Sequence, residues 1–341
     1  MQEKRAFKEI SMLSALFCVF VVFIHITSFP VEHLIKGSWQ HFIFYISNKI
    51  LTFVVPGFIF LSGFKLSYQY KDKKFCFPAF FKERVVKIFV PYLCWYVVYY
   101  VFFLLRDYIT MKSPGGLVLS VLVGDLVSPF YFIPLIFQFY LLFGVIRWLF
   151  ERVDHKLLLI LAFFMNFVFL EKIFFRYDDR FFAAYFFYFV LGCYFGKRGR
   201  VFNSYKWIVG IIYVAVAALY LYFSYHAVVY ASPFPHWRTA ALLFSTASIF
   251  AMGLLANWLC SVMSQRAFHI VLKVDMASYS IFLSHCLMIY VCDILWQKTG
   301  ISSVIGQTIF TASILIPVVF ISCILFSQLK KKKRDVRLSQ R

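Results

Sequence analysis

Runs of about 20 apolar residues recur along this chain, and no other feature limits its folding so strongly. A helical run of that length matches the roughly 30 Å hydrocarbon core of a bilayer, inside which a backbone must satisfy its own hydrogen bonds. Windows of about 19 residues place spans at roughly 10–29, 42–64, 86–105, 129–149, 157–175, 181–196, 207–225, 238–258, 276–296 and 303–328. The expected fold class is all-α, a polytopic integral membrane bundle of about ten transmembrane helices. Composition agrees: with 62% hydrophobic and 15% charged residues, 341 residues could not cover themselves as a soluble domain. The fifth and sixth spans carry the weakest signal, because Lys172, Arg176, Asp178, Asp179 and Arg180 interrupt it.

The net charge of +20 invites a nucleic-acid reading, but the basic residues sit between apolar runs as short clusters, so no nucleic-acid partner is expected. They order the topology instead. With the N-terminus cytoplasmic, the inner segments collect 26 of the 35 Lys and Arg residues and leave 9 outside. An even number of spans then brings both termini into the cytoplasm. One membrane-embedded domain over 1–341 is expected, ending in a basic cytoplasmic tail at 329–341 whose KKKKR run lies near anionic headgroups. The first run is longer than a signal-peptide core and lacks a small-x-small cleavage site, so it reads as a signal anchor. The eight cysteines form no C-x-x-C pair and read as small membrane-core residues, with no metal site expected.

Polar side chains within the spans carry the functional signal. In ISMLSALFCVFVVFIHITSFP, His25 is the one ionisable group apart from the weakly acidic Cys18, and dehydrating it costs free energy that packing alone does not return. At 100° per residue, Ser11, Ser14, Cys18, His25 and Ser28 share a stripe, while Phe17, Phe20 and Phe23 lie elsewhere. The second run, with Pro56, Gly57 and Gly63, loosens or admits a close backbone and places the Ser62 hydroxyl at depth. Arg84 and Lys87 lie three apart before Pro91 and admit two readings, a grip on a phosphorylated ligand or snorkelling anchors. Tyr131 and Gln138 share a face of the fourth run. In the ninth, Ser278 and His285 share a face, making His285 a second intramembrane histidine.

The order His25, VPGFIFLSGF, KERVVKIFVPY, FYFIPLIFQFYLL, FFYFVLGCYFG and SYSIFLSHCLMI resembles the membrane-bound acyltransferase 3 family, which includes O-antigen and Nod-factor O-acetyltransferases. Its branch acting on poly-N-acetylglucosamine adhesins is the nearest in motif order. The resemblance covers the first to the ninth span. It implies transfer of an acyl group, acetyl or succinyl, from cytoplasmic acyl-CoA to a hydroxyl of a cell-surface glycan or similar acceptor. His25 matches the family's first-span histidine, Arg84 and Lys87 its basic pair at the donor, and Tyr279 with His285 its late tyrosine-to-histidine motif. One position departs: where the family usually carries an arginine eleven residues before the histidine, this chain has Ser14.

Acyl transfer needs a base for the hydroxyl proton and donors for the developing oxyanion. A neutral histidine suits the first task, so His25 is the expected general base. Ser62, Tyr131, Gln138, Tyr279 and His285 are candidates for the cavity lining or the oxyanion donors. Acyl-CoA enters as co-substrate, with no bound cofactor, and the bilayer is the remaining partner. Abundant Phe and Lys fit an AT-rich bacterial genome and hence a multi-pass protein of a bacterial cell membrane. A polysaccharide exporter or flippase without acyl-transfer chemistry is the rival reading. It would need a polar path but neither His25 nor the basic pair.

Overall fold

The computed structural model describes residues 2–198 and 206–339, with side chains between Ala6 and Lys332. In chain order its helices are α1 (Gln2–His33), α2 (Trp39–Lys49), α3 (Val54–Gln69), α4 (Phe77–Arg84), α5 (Val90–Leu105), α6 (Pro114–Val123) and α7 (Phe132–Arg152). There follow α8 (His155–Lys172), α9 (Phe186–Arg198), α10 (Lys206–Tyr230), α11 (Trp237–Val262), α12 (Gln265–Gln297) and α13 (Val304–Ser339). Among the described residues no strand occurs. Arg200 of an inner basic cluster and the last two residues of the expected tail lie outside the described residues.

The protein is an all-α integral membrane protein. Among the described residues, 8 helical stretches are long and apolar enough to cross a bilayer. They are Ala6–His33, Trp39–Gln69, Phe77–Leu105, Ser128–Arg152, Lys206–Tyr230, Trp237–Val262, Gln265–Gln297 and Val304–Lys332. The fifth and sixth expected spans are α8, whose 18 residues include Lys156, Glu171 and Lys172, and α9, of 13 residues. At 1.5 Å per residue α9 is only about 20 Å long. It is buried from Phe187 to Cys193 without a break, so protein rather than lipid surrounds it and bilayer thickness does not set its length.

The chain divides into two compact units, Met1–Val54 with Val201–Arg341, and Val55–Arg200. In the first, a core forms from Cys18, Val22 and Ile26 of α1, Ala277 and Ile281 of α12, and Leu315, Val319 and Cys323 of α13. Part of the expected polar stripe is buried here, with Ser11 and Ser14 shielded beside Cys18, while His25 and Ser28 are half-buried. Phe17 is shielded too, edge-on to Phe53 at 5.6 Å, whereas Val19 and Phe23 face outward. Helix α1 is thus enclosed on more than its polar side.

In the second unit, α3 and α9 touch backbone to backbone. A Cβ at Gly192 would overlap the Phe60 carbonyl, one at Gly196 the Phe64 carbonyl, and one at Gly63 the Phe189 carbonyl. Gly192 and Gly196 are a G-x-x-x-G pair, which lets membrane helices approach where dispersion rather than hydrophobicity drives association. Before α9 the chain passes through two 3-10 turns, Asp178–Arg180 and Phe182–Ala184. Two side-chain amides satisfy this irregular backbone. Gln138 donates to the Arg180 carbonyl at 2.8 Å and accepts from the Phe182 N–H at 3.0 Å. Asn166 donates to the Ala184 carbonyl at 3.0 Å and accepts from the Phe187 N–H at 3.2 Å. Asp154 starts α8 as an N-cap. Its carboxylate accepts the Leu157 and Lys156 N–H groups at 3.0 and 2.9 Å, bonds that hold it below the usual Asp range.

Candidate active site

The two intramembrane histidines meet. The rings of His25 on α1 and His285 on α12 have centroids 5.1 Å apart with 47° between their planes. His285 is fully buried and His25 half-buried. The Nδ1 of His285 lies 3.0 Å from the Ile281 carbonyl, which only accepts, so Nδ1 carries the proton and Nε2 keeps its lone pair. The Cys286 thiol, 3.3 Å from Nε2, donates to it. One ring nitrogen of His25, one of His285 and the Cys286 sulfur all lie within 4.8 Å of one another.

The backbone beside His25 is pinned from α2. Asn48 donates to the Ile24 carbonyl at 2.8 Å and to the Thr27 hydroxyl at 2.9 Å. Ser28 also donates to the Ile24 carbonyl, at 2.8 Å, and Thr27 to the Phe23 carbonyl at 2.8 Å. Further along, Pro30 lacks the N–H that would return to Ile26. Asn48 was not among the residues picked from sequence. It ends a separate helix, and no local pattern announces that it reaches α1.

The second unit carries the expected basic pair, and there the two cations part. Arg84 lies over the rings of Phe80 and Tyr140, at 5.1 and 5.8 Å, and reaches Gln69 at 3.4 Å. Its Nε is buried without a hydrogen-bond partner among the described residues. The Tyr140 hydroxyl bonds to Ser62, so Ser62, Tyr140 and Arg84 form one polar group. Lys87, by contrast, is 61% exposed and pairs with Glu83 at 2.5 Å. The cause is a π-helical turn at Val85–Phe89, just before Pro91. The missing N–H of Pro91 and the extra residue in the turn break the three-residue spacing on which a shared face depended.

The remaining expected residues separate as well. Gln138 is a clamp on the turns before α9. Tyr131 bonds to Tyr185 and lies 5.8 Å from the Arg180 guanidinium. Tyr279 stacks on Phe282, whose ring is 6.3 Å from that of His285. Ser14 is buried and lies on the same helix as His25. Tyr140 was missed because one tyrosine carries no signal in a chain with 22 of them.

The family model for an acyltransferase domain, acyltransferase 3, matches residues 7–327. The chain belongs to the acyltransferase 3 family. A protein of Bacillus subtilis (strain 168), YfiQ, provisionally named a membrane-bound acyltransferase, is 28% identical over 313 residues, spanning 82% of this chain and 80% of its own. No solved structure matches. Acyl transfer, rather than export, is therefore the chemistry of this chain, and the resemblance read from motif order holds at the family level.

Proposed function

We propose that this acyltransferase 3 protein moves an acetyl or succinyl group from cytoplasmic acyl-CoA to a hydroxyl of a cell-surface glycan, in a bacterial cell membrane. His25 is the general base. The observation that carries the reading is the histidine pair, whose His285 is held in one tautomer by the Ile281 carbonyl.

The chemistry follows from the groups present. The lone pair of His25 takes the proton of the acceptor hydroxyl as its oxygen attacks the thioester carbonyl. The tetrahedral intermediate collapses, the carbon–sulfur bond breaks, and the leaving thiolate recovers that proton from the imidazolium. His285, held by the Ile281 carbonyl through Nδ1 and by the Cys286 thiol through Nε2, is a fixed wall beside the His25 ring. As a general base, His25 must enter the step with a free lone pair. Arg84 is the donor-binding cation, because its buried Nε still lacks a partner and a guanidinium suits phosphate oxygens. Lys87 contributes at most through its field.

Membranes carrying wild type or His25→Ala are incubated with radiolabelled acetyl-CoA or succinyl-CoA, and label in cell-surface glycan is counted. The expected result is incorporation that disappears with His25→Ala at equal protein level. Undiminished incorporation by the variant removes His25 as the base.

A further inference from the structure

We propose that His25, His285 and Cys286 form a binding site for a soft monovalent transition-metal ion, cuprous copper. The three donor atoms come from two helices, and all lie within 4.8 Å of one another. In a three-coordinate centre with metal–nitrogen and metal–sulfur bonds near 2.0 and 2.3 Å, donor atoms stand about 3.5–3.7 Å apart. The Cys286 sulfur and His285 Nε2, at 3.3 Å, are already near that spacing. The His25 nitrogen, within 4.8 Å of both, is the ligand that must draw in when an ion binds.

The outer partner of such a site is in place. A metal-bound histidine usually donates its other N–H to a carbonyl or carboxylate, which fixes the tautomer and aims the lone pair. The Nδ1 of His285 does this to the Ile281 carbonyl at 3.0 Å. His25, half-buried, leaves the cluster a side from which an ion can arrive.

Charge selects the ion. Thiolate favours cuprous copper or zinc, and imidazole accepts either. Among the described residues no fourth histidine, cysteine or carboxylate atom joins the three, whereas structural zinc takes four ligands. The neighbouring core is apolar, built from Val22, Ile26, Ala277 and Ile281. On binding, the Cys286 S–H bond breaks, its proton passes to solvent, and one metal–sulfur and two metal–nitrogen bonds form. A monovalent ion with one thiolate and two neutral imidazoles leaves the centre uncharged. A divalent ion would leave a positive charge in the hydrocarbon core, where charge is costly.

The inference needs the geometry alone, but it meets the acyl-transfer reading at His25. An ion on that nitrogen removes the base, so copper would inhibit transfer. The test is anaerobic titration of the purified full-length protein in detergent with cuprous ion, in competition with bicinchoninate, followed by X-ray absorption on the loaded sample. Wild type should take up one ion with mixed nitrogen and sulfur ligation. Cys286→Ser and His285→Ala should each weaken uptake at least tenfold, and Cys286→Met, which keeps a soft sulfur, should restore part of it. Helical content measured on every variant separates lost ligation from lost fold. Equal uptake by wild type and Cys286→Ser overturns the site, since the other cysteines would then be the ligands. Tighter retention of zinc than of cuprous ion overturns the choice of ion. Because uptake is read without an acyl donor, failure here is distinct from failure of the acyl-transfer reading.

Discussion

Two hydrogen bonds from Asn48 hold the turn of α1 that carries His25. Asn48→Ala should lower the rate of acyl transfer roughly ten- to a hundredfold, since a base displaced by about 1 Å loses that much, while donor KM stays near wild type. His25→Ala itself should cost about 10²–10⁴-fold, the usual worth of a general base. On the donor side, Arg84→Gln should raise KM for acyl-CoA roughly 10- to 150-fold, corresponding to one charge-assisted contact of about 1.5–3 kcal/mol. Lys87→Gln should change it far less, because that side chain faces outward and pairs with Glu83. Initial rates across a donor series separate these outcomes. The histidines were legible because an ionisable residue stands out against leucine and phenylalanine. Tyr140 and Asn48 were not. Both are ordinary residue types whose roles depend on a partner from another helix, and one chain pattern contains no record of that partner.

At the scale of elements, the close contact of α3 with α9 rests on three glycines. Gly192→Val would push a side chain into the Phe60 backbone, and overpacking of this kind costs about 1–3 kcal/mol or more. The unfolding temperature of the detergent-solubilised protein should fall accordingly. The Asp154 cap gives a pH-dependent counterpart. Its carboxyl titrates lower in the folded chain than in the unfolded one. The stabilisation of the first turn of α8 is therefore present above the ordinary Asp range and fades as pH falls through the lowered folded value. Hydrogen exchange at Lys156 and Leu157 reads this, and Asp154→Ala should make both amides exchange quickly at neutral pH. Sequence periodicity revealed the long helices well, because lipid imposes a single length on them. It was less informative at α9 and at Arg84 for a common reason. Both places depart from α-helical spacing, through 3-10 turns in one case and a π-turn in the other, and tertiary amides or Pro91 sustain the departure.

For the molecule as a whole, 8 stretches among the described residues are long and apolar enough to cross a bilayer, and the shorter α8 and α9 are not among them. The distribution of Lys and Arg between the apolar runs places both termini, as an expectation, in the cytoplasm. Reporter fusions at each end should show cytoplasmic enzyme activity, and an extracytoplasmic signal at either end would reverse the assignment. The division into units has a further consequence, one of time. The unit from Val55 to Arg200 is continuous in sequence and can fold as it is made, but the other is split around it. Cys18 on α1 meets Ser278 on α12 across a separation of 260 residues. At synthesis rates of about 5–20 residues per second, α1 must wait roughly 10–50 s in the bilayer before its polar side is covered. During that interval the nascent chain holds a histidine whose partner on α12 has not yet been made, and an insertion factor that shields α1 would decide how much protein survives to acquire one.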